Sequence, residues 1–288
     1  MELIYLNQLR SCFGEDVVVH NTQALSGGDI NEVLRLSTSH GEFCVKRNSA
    51  SRFPYMFERE ASGLELLRSN SSFTVPEVIT TGEEGEASYL IMEFIDSGNK
   101  ASGFWEDFGR KLADMHQHTS TSFGLNEENY IGSLSQSNKQ HSDWGSFYAE
   151  ERLIPQLVLA RDKQLLDAAT CKKAEGLCSR LSEYFPKENP ALLHGDLWSG
   201  NYMVDAKGDP ALIDPAVYYG HREMDISMTL LFGGFDGVMY AAYNELYPLE
   251  NDWRGRVELC QLYPVLVHVN LFGSSYARQV ESIISKFS

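Results

Sequence analysis

Residues 191–216, ALLHGDLWSGNYMVDAKGDPALIDPA, place many polar side chains between two apolar runs. Three of these side chains are spaced so that their oxygen atoms could bind one cation together: Asp196, Asn201 five residues later, and Asp214. Carboxylate and amide oxygens are hard ligands, and they suit Mg²⁺ that is held jointly with phosphate groups. Any one Asp in such a stretch is more commonly a turn former or a cap, so the inference depends on the whole set.

A β-hairpin is predicted to bring two of these residues together. Lys207 and Gly208 are expected to form its two-residue turn, because glycine tolerates positive φ. In that register Asn201 faces Asp214 at the open end, where directly opposed Cβ atoms lie roughly 5 Å apart. The hairpin therefore predicts a paired set of oxygen ligands.

The spacing matches the pattern of protein kinases, in which a catalytic-loop Asp precedes an Asn and a second Asp. In that chemistry Asp196 would orient an acceptor hydroxyl. Asn201 and Asp214 would hold Mg²⁺, which neutralises the phosphates of ATP. His194 is expected to brace the loop rather than to act as a base, and Asp225 is expected to anchor the loop backbone.

The first half of the chain is expected to supply a cation for the nucleotide phosphates. In the strand EFCVK, alternation turns Cys44 and Lys46 toward a cleft, and Phe43 and Val45 toward the core of the lobe. A lone Lys at a strand end is more commonly solvated. In the following helix, however, Glu60 lies on the apolar face, where an unpaired charge is costly. A Lys46–Glu60 pair would satisfy it and would place the phosphates as kinases do.

Two other segments are candidates for nucleotide contacts. The glycine-rich segment LSGGDINEV could cover phosphates, although it is not G-x-G-x-x-G and a plain hairpin turn explains it equally well. Its candidate residues are Ser26, Gly27 and Gly28. In IMEFI, main-chain groups of Glu93 and Ile95 could hold adenine, and a buried strand is the alternative for that segment.

Composition limits the classes of function. The chain has 288 residues and a formal net charge of −16, which disfavours binding to nucleic acid or an anionic membrane and suits a cationic small molecule. The five cysteines are widely spaced, without C-x-x-C. The sequence shows no signal peptide and no apolar run long enough to cross a bilayer. A cytoplasmic location is therefore expected.

Short β-rich runs and one helix are predicted for the first hundred residues, and mostly helices for the rest. This pattern predicts an α+β fold with a β-rich and a helical lobe, and the kinase-like spacing of Asp196, Asn201 and Asp214 makes a two-lobed, protein-kinase-like fold the expected one. Residues 1–96 would form a nucleotide-binding N-terminal lobe, and residues 97–288 a helical catalytic and substrate-binding C-terminal lobe. No A-P-E motif follows Asp214, and helical sequence resumes soon after it. The peptide-docking segment of protein kinases is thus missing, which favours a small-molecule acceptor.

Several segments together resemble one known family. LLHGDLWSGN is similar to the catalytic loop of the fructosamine/ketosamine kinases, within the wider aminoglycoside- and choline-kinase superfamily, and Trp198 is its distinguishing residue. Further similar segments are SGG, FCVK, FEREASGLELL, FGLNEENYIGSLSQSN, DWGSFYAEERLIPQ and IDPAVYYGHREMDISM. The resemblance covers nearly the whole chain.

This resemblance implies ATP-dependent phosphorylation of the sugar 3-hydroxyl of a ketosamine, which can be a ribulosamine, an erythrulosamine or a fructosamine; bacterial-type members of the family favour the first two, and the sugar preferred by this chain stays open. The acceptor would be a small-molecule ketosamine or a glycated protein lysine, and loss of the unstable 3-phosphate would repair the amine. Trp198 would pack against the sugar or its carrier, with ordinary packing as the alternative. Many relatives carry a redox-sensitive Cys in the glycine-rich loop, but this loop has none. Monomer and homodimer both remain open.

Two alternatives come from other classes of function. One is an aminoglycoside or choline-type amino-alcohol phosphotransferase. The other is a non-catalytic binding module on a kinase scaffold, for which one member of the predicted catalytic set would be replaced. None is replaced in this sequence; the set is Lys46, Glu60, Asp196, Asn201 and Asp214.

Overall fold

An antiparallel sheet forms the centre of the N-terminal lobe. The computed structural model describes residues 2–25 and 30–288. The sheet has five strands in the order β1-β2-β3-β5-β4. The elements of this lobe are α1 (Glu2–Phe13), β1 (Val19–Leu25), β2 (Glu32–Thr38), β3 (Gly41–Ser49), α2 (Met56–Asn70), β4 (Val78–Glu84) and β5 (Ala87–Glu93).

The sequence predicts one helix in this lobe, and the structure corrects that number. Helix α1 precedes the sheet, and its residues Tyr5 and Leu9 are buried in the same cluster as Leu36 and Val45 of the sheet. Their spacing of four residues is the signal of an amphipathic helix. The N-terminal helix could therefore have been predicted from that pair.

Helices dominate the remainder of the chain, as predicted. Three short two-stranded pairings interrupt them in the described chain: β6 with β7, β8 with β11, and β9 with β10. The elements are α3 (Phe104–His116), β6 (Asn129–Ile131), β7 (Leu134–Gln136), α4 (Trp144–Phe147), α5 (Ile154–Asp162), α6 (Ala168–Cys178), α7 (Leu181–Tyr184), β8 (Ala191–Leu193), β9 (Tyr202–Val204), β10 (Pro210–Leu212), β11 (Tyr218–Gly220), α8 (Glu223–Leu231), α9 (Gly237–Leu246), α10 (Trp253–Phe272) and α11 (Ala277–Phe287).

A continuous apolar cluster joins the two lobes. It contains Phe57 and Leu64 from α2, Phe108 from α3 and Leu212 from β10, all of them buried. Because this contact buries large side chains from both lobes, it holds the sheet against the helical part and leaves the cleft between them. The predicted fold class is confirmed, whereas the division at residues 96 and 97 stays a prediction. None of the described helices combines the length and apolarity needed to span a membrane.

The predicted register of the hairpin is wrong by one residue. Val204 pairs with Pro210, and Ile213 N–H donates to the carbonyl of Asn201 at 3.1 Å. The loop contains three residues rather than two, because Gly208 N–H donates to Asp205 O and Gly208 has φ 90°. A type I turn followed by a left-handed glycine is the usual three-residue hairpin loop. Asn201 is therefore opposite Ile213, not Asp214.

This loop gives a direct prediction for Gly208→Ala. A Cβ at Gly208 would have to adopt positive φ and would lie 2.8 Å from the carbonyl oxygen of Asn99. We expect the free energy of unfolding to fall by about 1–3 kcal/mol. The matched control is Gly176→Ala in α6, where a Cβ meets nothing within 4 Å and the helix should gain about 0.5–1 kcal/mol. Urea unfolding measures both, and equal stability of the two variants would contradict the loop assignment.

Candidate active site

One cleft between the lobes contains every predicted site residue that the structure describes. Its volume is about 1180 Å³. The predicted residues that line it are Lys46, Glu60, Glu93, Ile95, Asp196, Trp198, Asn201 and Asp214. The remaining candidates of the glycine-rich loop, Ser26, Gly27 and Gly28, lie outside the described residues. The cleft is thus large enough to hold a nucleotide and an acceptor together.

Lys46 connects the two lobes through its ammonium group. The side chain leaves β3 toward the cleft and is 5% exposed. Its Nζ donates to Glu60 Oε1 of α2 at 2.5 Å and also to Asp214 Oδ1 of the other lobe. Burial alone would lower the pKa of Lys46, but the carboxylates of Asp214 and Glu60 outweigh it and leave the pKa raised. The ammonium group of Lys46 therefore stays protonated at the place where nucleotide phosphates would lie.

Asp225 and His194 fix the loop that carries Asp196. Asp225 accepts hydrogen bonds from the backbone N–H groups of His194 at 2.7 Å and Gly195 at 3.0 Å. The His194 ring bonds Ile213 O through Nε2 and accepts from Asp196 N–H at Nδ1. Burial lowers the pKa of His194, so the ring is neutral at pH 7. These contacts are the bracing and anchoring functions that the sequence predicts for the two residues.

Gly195 permits the close approach of the loop to the segment after Asp214. A Cβ at this position would lie 2.0 Å from the carbonyl oxygen of Ala216. The backbone N–H of Ala216 also donates to His194 O at 2.9 Å. Any side chain at position 195 would therefore separate Asp196 from Asp214.

The carboxylate of Asp196 is held by the amide of Asn201. Asn201 Nδ2 donates to Asp196 Oδ2 at 3.0 Å and to the backbone carbonyl of Asp196 at 2.9 Å. Burial raises the pKa of Asp196 to about 7, although the bond from Asn201 opposes that shift. A carboxylate with a pKa near neutrality is suited to accept a proton from a substrate hydroxyl.

Asn201 and Asp214 are neighbours despite the corrected register. Asn201 Nδ2 lies 3.5 Å from the backbone carbonyl of Asp214. Asp214 has φ 54°, a left-handed conformation that is uncommon for residues other than glycine. This turn ends the strand alternation and directs the Asp214 carboxylate to Lys46 in the cleft. A strained residue, rather than a cross-strand pair, thus brings the two side chains to one site.

The donor set fits a hard divalent cation. All hydrogen bonds of the Asn201 side chain among the described residues use Nδ2, which leaves its Oδ1 available. The side chain of Asp214 is 45% exposed, so its carboxylate can also receive a cation from the cleft. Two oxygen ligands beside a phosphate site are typical of Mg²⁺.

The strand β5 ends at the back of the cleft. Phe94 N–H donates to Glu42 O at 3.2 Å, and Glu93 N–H donates to Glu77 O at 2.8 Å. Ile95 is buried and lines the cleft together with Glu93. The segment is therefore both a buried strand end and a wall of the cleft, and its adenine contacts stay a prediction.

Aromatic rings surround the other end of the cleft. Trp198 is 38% exposed, and its ring lies 6.0 Å from that of Phe232. The indole packs on Gly200, where a Cβ would lie 2.3 Å from it. His268 continues this surface, with its ring 5.1 Å from Phe232. The arrangement leaves an exposed face of Trp198 in the cleft, next to the loop of Asp196.

Several cleft residues escaped the sequence-based prediction. They come from the β6–β7 hairpin, from α8 and the residue that caps its C-terminus, and from α10: Tyr130, Ser133, Met228, Phe232, Tyr263 and His268. The sequence IGSL in the hairpin carried a signal, since Gly-Ser between apolar residues is typical of a tight turn. The helical residues carried none, because an aromatic residue that faces a cleft looks the same in sequence as one in a core.

The comparisons with known proteins agree over the whole chain. The family model described as fructosamine kinase matches residues 2–288. A protein-ribulosamine 3-kinase, chloroplastic, from Arabidopsis thaliana is 42% identical over 279 residues, which are 95% of this chain and 84% of that protein. A probable ketoamine kinase from Enterococcus faecium is 40% identical over 264 residues, 91% of this chain and 93% of that protein.

Solved structures give the same result for the fold. A candidate fructosamine-3-kinase from Thermobifida fusca superposes with a TM-score of 0.85 at 33% identity, over 97% of this chain and 96% of that one. An aminoglycoside phosphotransferase, with a TM-score of 0.65 and 17% identity over 97% of each chain, shares the fold. The full-length family match and these relatives show that the chain belongs to the fructosamine kinase family.

Proposed function

We propose that this protein is an ATP-dependent ketosamine 3-kinase. It transfers the γ-phosphoryl group to the sugar 3-hydroxyl of a ribulosamine, erythrulosamine or fructosamine, which is free or carried on a protein lysine. The observation that supports the proposal most strongly is the convergence of the Lys46–Glu60 pair, Asp196, Asn201 and Asp214 in one cleft. The names of the relatives support the substrate class.

The nucleotide end of the site uses the N-terminal lobe. Lys46 binds the phosphates, Glu60 fixes the Lys46 ammonium, and the backbone of Glu93 and Ile95 holds adenine. Asn201 and Asp214 hold Mg²⁺, which when bound neutralises charge on the phosphates. The proposal also includes the glycine-rich loop, with Ser26, Gly27 and Gly28, as the cover of the phosphates.

The acceptor end uses Asp196 to orient the reacting hydroxyl. The hydroxyl oxygen forms a bond to the γ-phosphorus while the bond to the ADP oxygen breaks, and the hydroxyl proton passes to Asp196. Because the pKa of Asp196 is raised to about 7 by burial, the base is protonated on the acid side of that value. We therefore expect kcat/KM to fall as the pH drops below about 7.

The partners of this enzyme follow from the same cleft. A secondary amine that carries a positive charge matches a chain of net charge −16.

We propose a cytoplasmic location, and both a monomer and a homodimer are compatible with the proposal. The N-terminal lobe would end near residue 96, shortly after the end of β5 at Glu93.

An acceptor panel tests the proposed function. ATP turnover with Mg²⁺ is measured for ribulose-lysine, fructose-lysine, kanamycin and choline under one set of conditions. We expect the highest kcat/KM for ribulose-lysine and no turnover after chelation of divalent metal. Antibiotic or choline phosphorylation without any ketosamine turnover would replace the proposal with the amino-alcohol alternative, and no turnover of any acceptor would favour a binding module.

Trp198→Ala tests the acceptor end of the cleft separately. The substitution removes an exposed ring that packs on Gly200 rather than in the core. We expect kcat/KM for ribulose-lysine to fall about tenfold or more, while KM for ATP stays within about twofold. Phe13→Ala, at an equally exposed residue of the N-terminal lobe, is the control and should change neither constant. An equal loss of kcat/KM for ribulose-lysine and for ATP would contradict a specific function of Trp198 in acceptor binding.

A further inference from the structure

Arg152 is a fully buried cation in the wall of the C-terminal lobe. It lies in a π-helical segment, Tyr148–Leu153, and is 0% exposed. Among the described residues no ion pair includes Arg152, and its Nε has no hydrogen-bond partner. The carboxylate of the neighbouring Glu151 bonds Ser137 and His141 instead. The positive charge of Arg152 therefore lacks the direct carboxylate partner that buried charges usually have.

Aromatic rings and carbonyl oxygens hold the guanidinium in place. Its Cζ lies 4.1 Å from the centre of the Tyr218 ring and 5.5 Å from that of Tyr263. Both tyrosines line the cleft. Nη1 donates to the backbone carbonyls of Ser137 and Glu151. The guanidinium thus lies directly behind two side chains of the cleft wall.

A chain of buried amides extends from the other nitrogen of Arg152. Nη2 donates to Asn138 Oδ1 at 2.7 Å, and Asn138 Nδ2 donates to Asn129 Oδ1 at 3.0 Å. Gln136 Nε2 donates to the same oxygen at 2.8 Å. Gln136 in turn accepts a 2.6 Å bond from Tyr263 O–H. The amide oxygens and nitrogens of the β6–β7 hairpin are thereby oriented by Arg152.

This amide chain ends on the segment that follows Asp214. Asn129 Nδ2 donates to the carbonyl of Val217 at 2.8 Å, and Gln136 Nε2 donates to the carbonyl of Ala216 at 3.3 Å. On its other side, Ala216 is bonded to His194 of the catalytic loop. The segment after Asp214 is consequently held between the catalytic loop and the hairpin.

We propose that Arg152 is a positioning residue, which through Asn138, Asn129 and Gln136 fixes the carbonyls of Ala216 and Val217 and thereby the metal-binding carboxylate of Asp214. The left-handed conformation of Asp214 needs such support, because an isolated chain populates it rarely. The inference rests on the proposed function, since it assigns Mg²⁺ to Asp214.

The energetics favour this function over a purely stabilising one. A buried arginine without a paired carboxylate stabilises a fold less than an apolar residue of similar size. A buried Nε without an acceptor adds a further cost. Single π-helical turns inside helices are frequent at functional sites, and departures from local rules of stability concentrate there too. Arg152 combines all of these features beside the cleft.

Arg152→Lys separates positioning from charge. Lysine keeps the positive charge but has no planar fork to bond Ser137 O and Asn138 Oδ1 together. Calorimetry measures ADP binding with and without Mg²⁺. We expect the gain in ADP affinity that Mg²⁺ confers to shrink about tenfold, with metal-free ADP binding unchanged, since groups that orient metal ligands contribute about 10–100-fold. Gln136→Met should reduce the same gain.

The control is Arg256→Lys, at a buried arginine that pairs with Glu223 and, within the part of the chain that the structure describes, forms no hydrogen bond to the amide chain. It should leave the Mg²⁺ gain unchanged whatever it does to thermal stability. An unchanged gain in folded Arg152→Lys and Gln136→Met, with a normal gain in the wild type, would overturn the positioning proposal alone. A wild type without any Mg²⁺ gain would instead overturn the metal site of the proposed function. Should Arg152→Lys fail to fold, the Gln136→Met result decides.

Discussion

Asp196→Asn should abolish turnover while the protein stays folded. The amide cannot accept the hydroxyl proton, so we expect kcat to fall about 1000-fold. KM for ATP should change little, because the proposed nucleotide contacts come from Lys46 and the strand end at Glu93, which line another part of the cleft wall. Steady-state kinetics with ribulose-lysine measure both constants, and a kcat within tenfold of wild type would contradict the assigned function of Asp196.

The stability of the same variant provides its control. Burial raises the pKa of Asp196 to about 7, above the unfolded value of about 3.9. The folded state then binds the extra proton, and the contribution to stability is complete below pH about 4 and lost as the pH rises through 7. At pH 8 the buried charge is unfavourable, so Asp196→Asn should unfold at an equal or higher temperature than wild type. A large loss of stability would instead mean that activity is lost because the variant unfolds.

Lys46→Met should affect both stability and activity. The substitution leaves Glu60 buried without its cation, whereas the half-exposed Asp214 can be hydrated. We expect the free energy of unfolding to fall by about 3 kcal/mol at pH 7, the usual cost of breaking a buried pair. We also expect kcat/KM for ATP to fall about 100-fold, because the charge that we propose to bind the phosphates is lost. Urea unfolding and initial rates measure the two effects.

A double variant separates these two effects. In Lys46→Met/Glu60→Gln no uncompensated charge remains at position 60, so most of the lost stability should return. Activity should stay as low as in the single variant, because the cation that we propose for the phosphates is still missing. Recovery of activity along with stability would show that Lys46 acts only through the fold.

The N-terminal half of the site was predictable because neighbouring residues in the sequence are sufficient to place its side chains. Alternation in EFCVK predicts that Lys46 faces the cleft, and the helical spacing of Glu60 with apolar neighbours predicts its need for a partner. The structure shows that pair at 2.5 Å. No information from distant parts of the chain was needed.

The length of the hairpin loop, and with it the register of the strands, cannot be decided from neighbouring residues alone. Lys207-Gly208 is compatible with a two-residue turn and with a three-residue loop that ends in a left-handed glycine. One extra loop residue shifts the register and would reverse every side chain of the strand. The left-handed turn at Asp214 compensates for that shift. Such a conformation is set by surrounding contacts rather than by its own sequence.

Arg152 shows the same limit for a helix. In FYAEERLIPQ the charges read as a solvated helical face, and nothing in the spacing indicates that one of them is buried. Its burial depends on a π-helical turn and on Tyr218 and Tyr263, which lie far along the chain. Only the folded structure brings these residues together.

The position of the phosphate in the product is the most direct test of a ketosamine 3-kinase that uses Asp196 as its base. The wild type is incubated with ribulose-lysine, ATP and Mg²⁺, and the product is examined by ³¹P–¹H correlation NMR before it decomposes. We expect one phosphate ester, coupled to the proton on C3 of the sugar, and none with Asp196→Asn. A phosphate on another hydroxyl, or wild-type phosphorylation by Asp196→Asn, would contradict it.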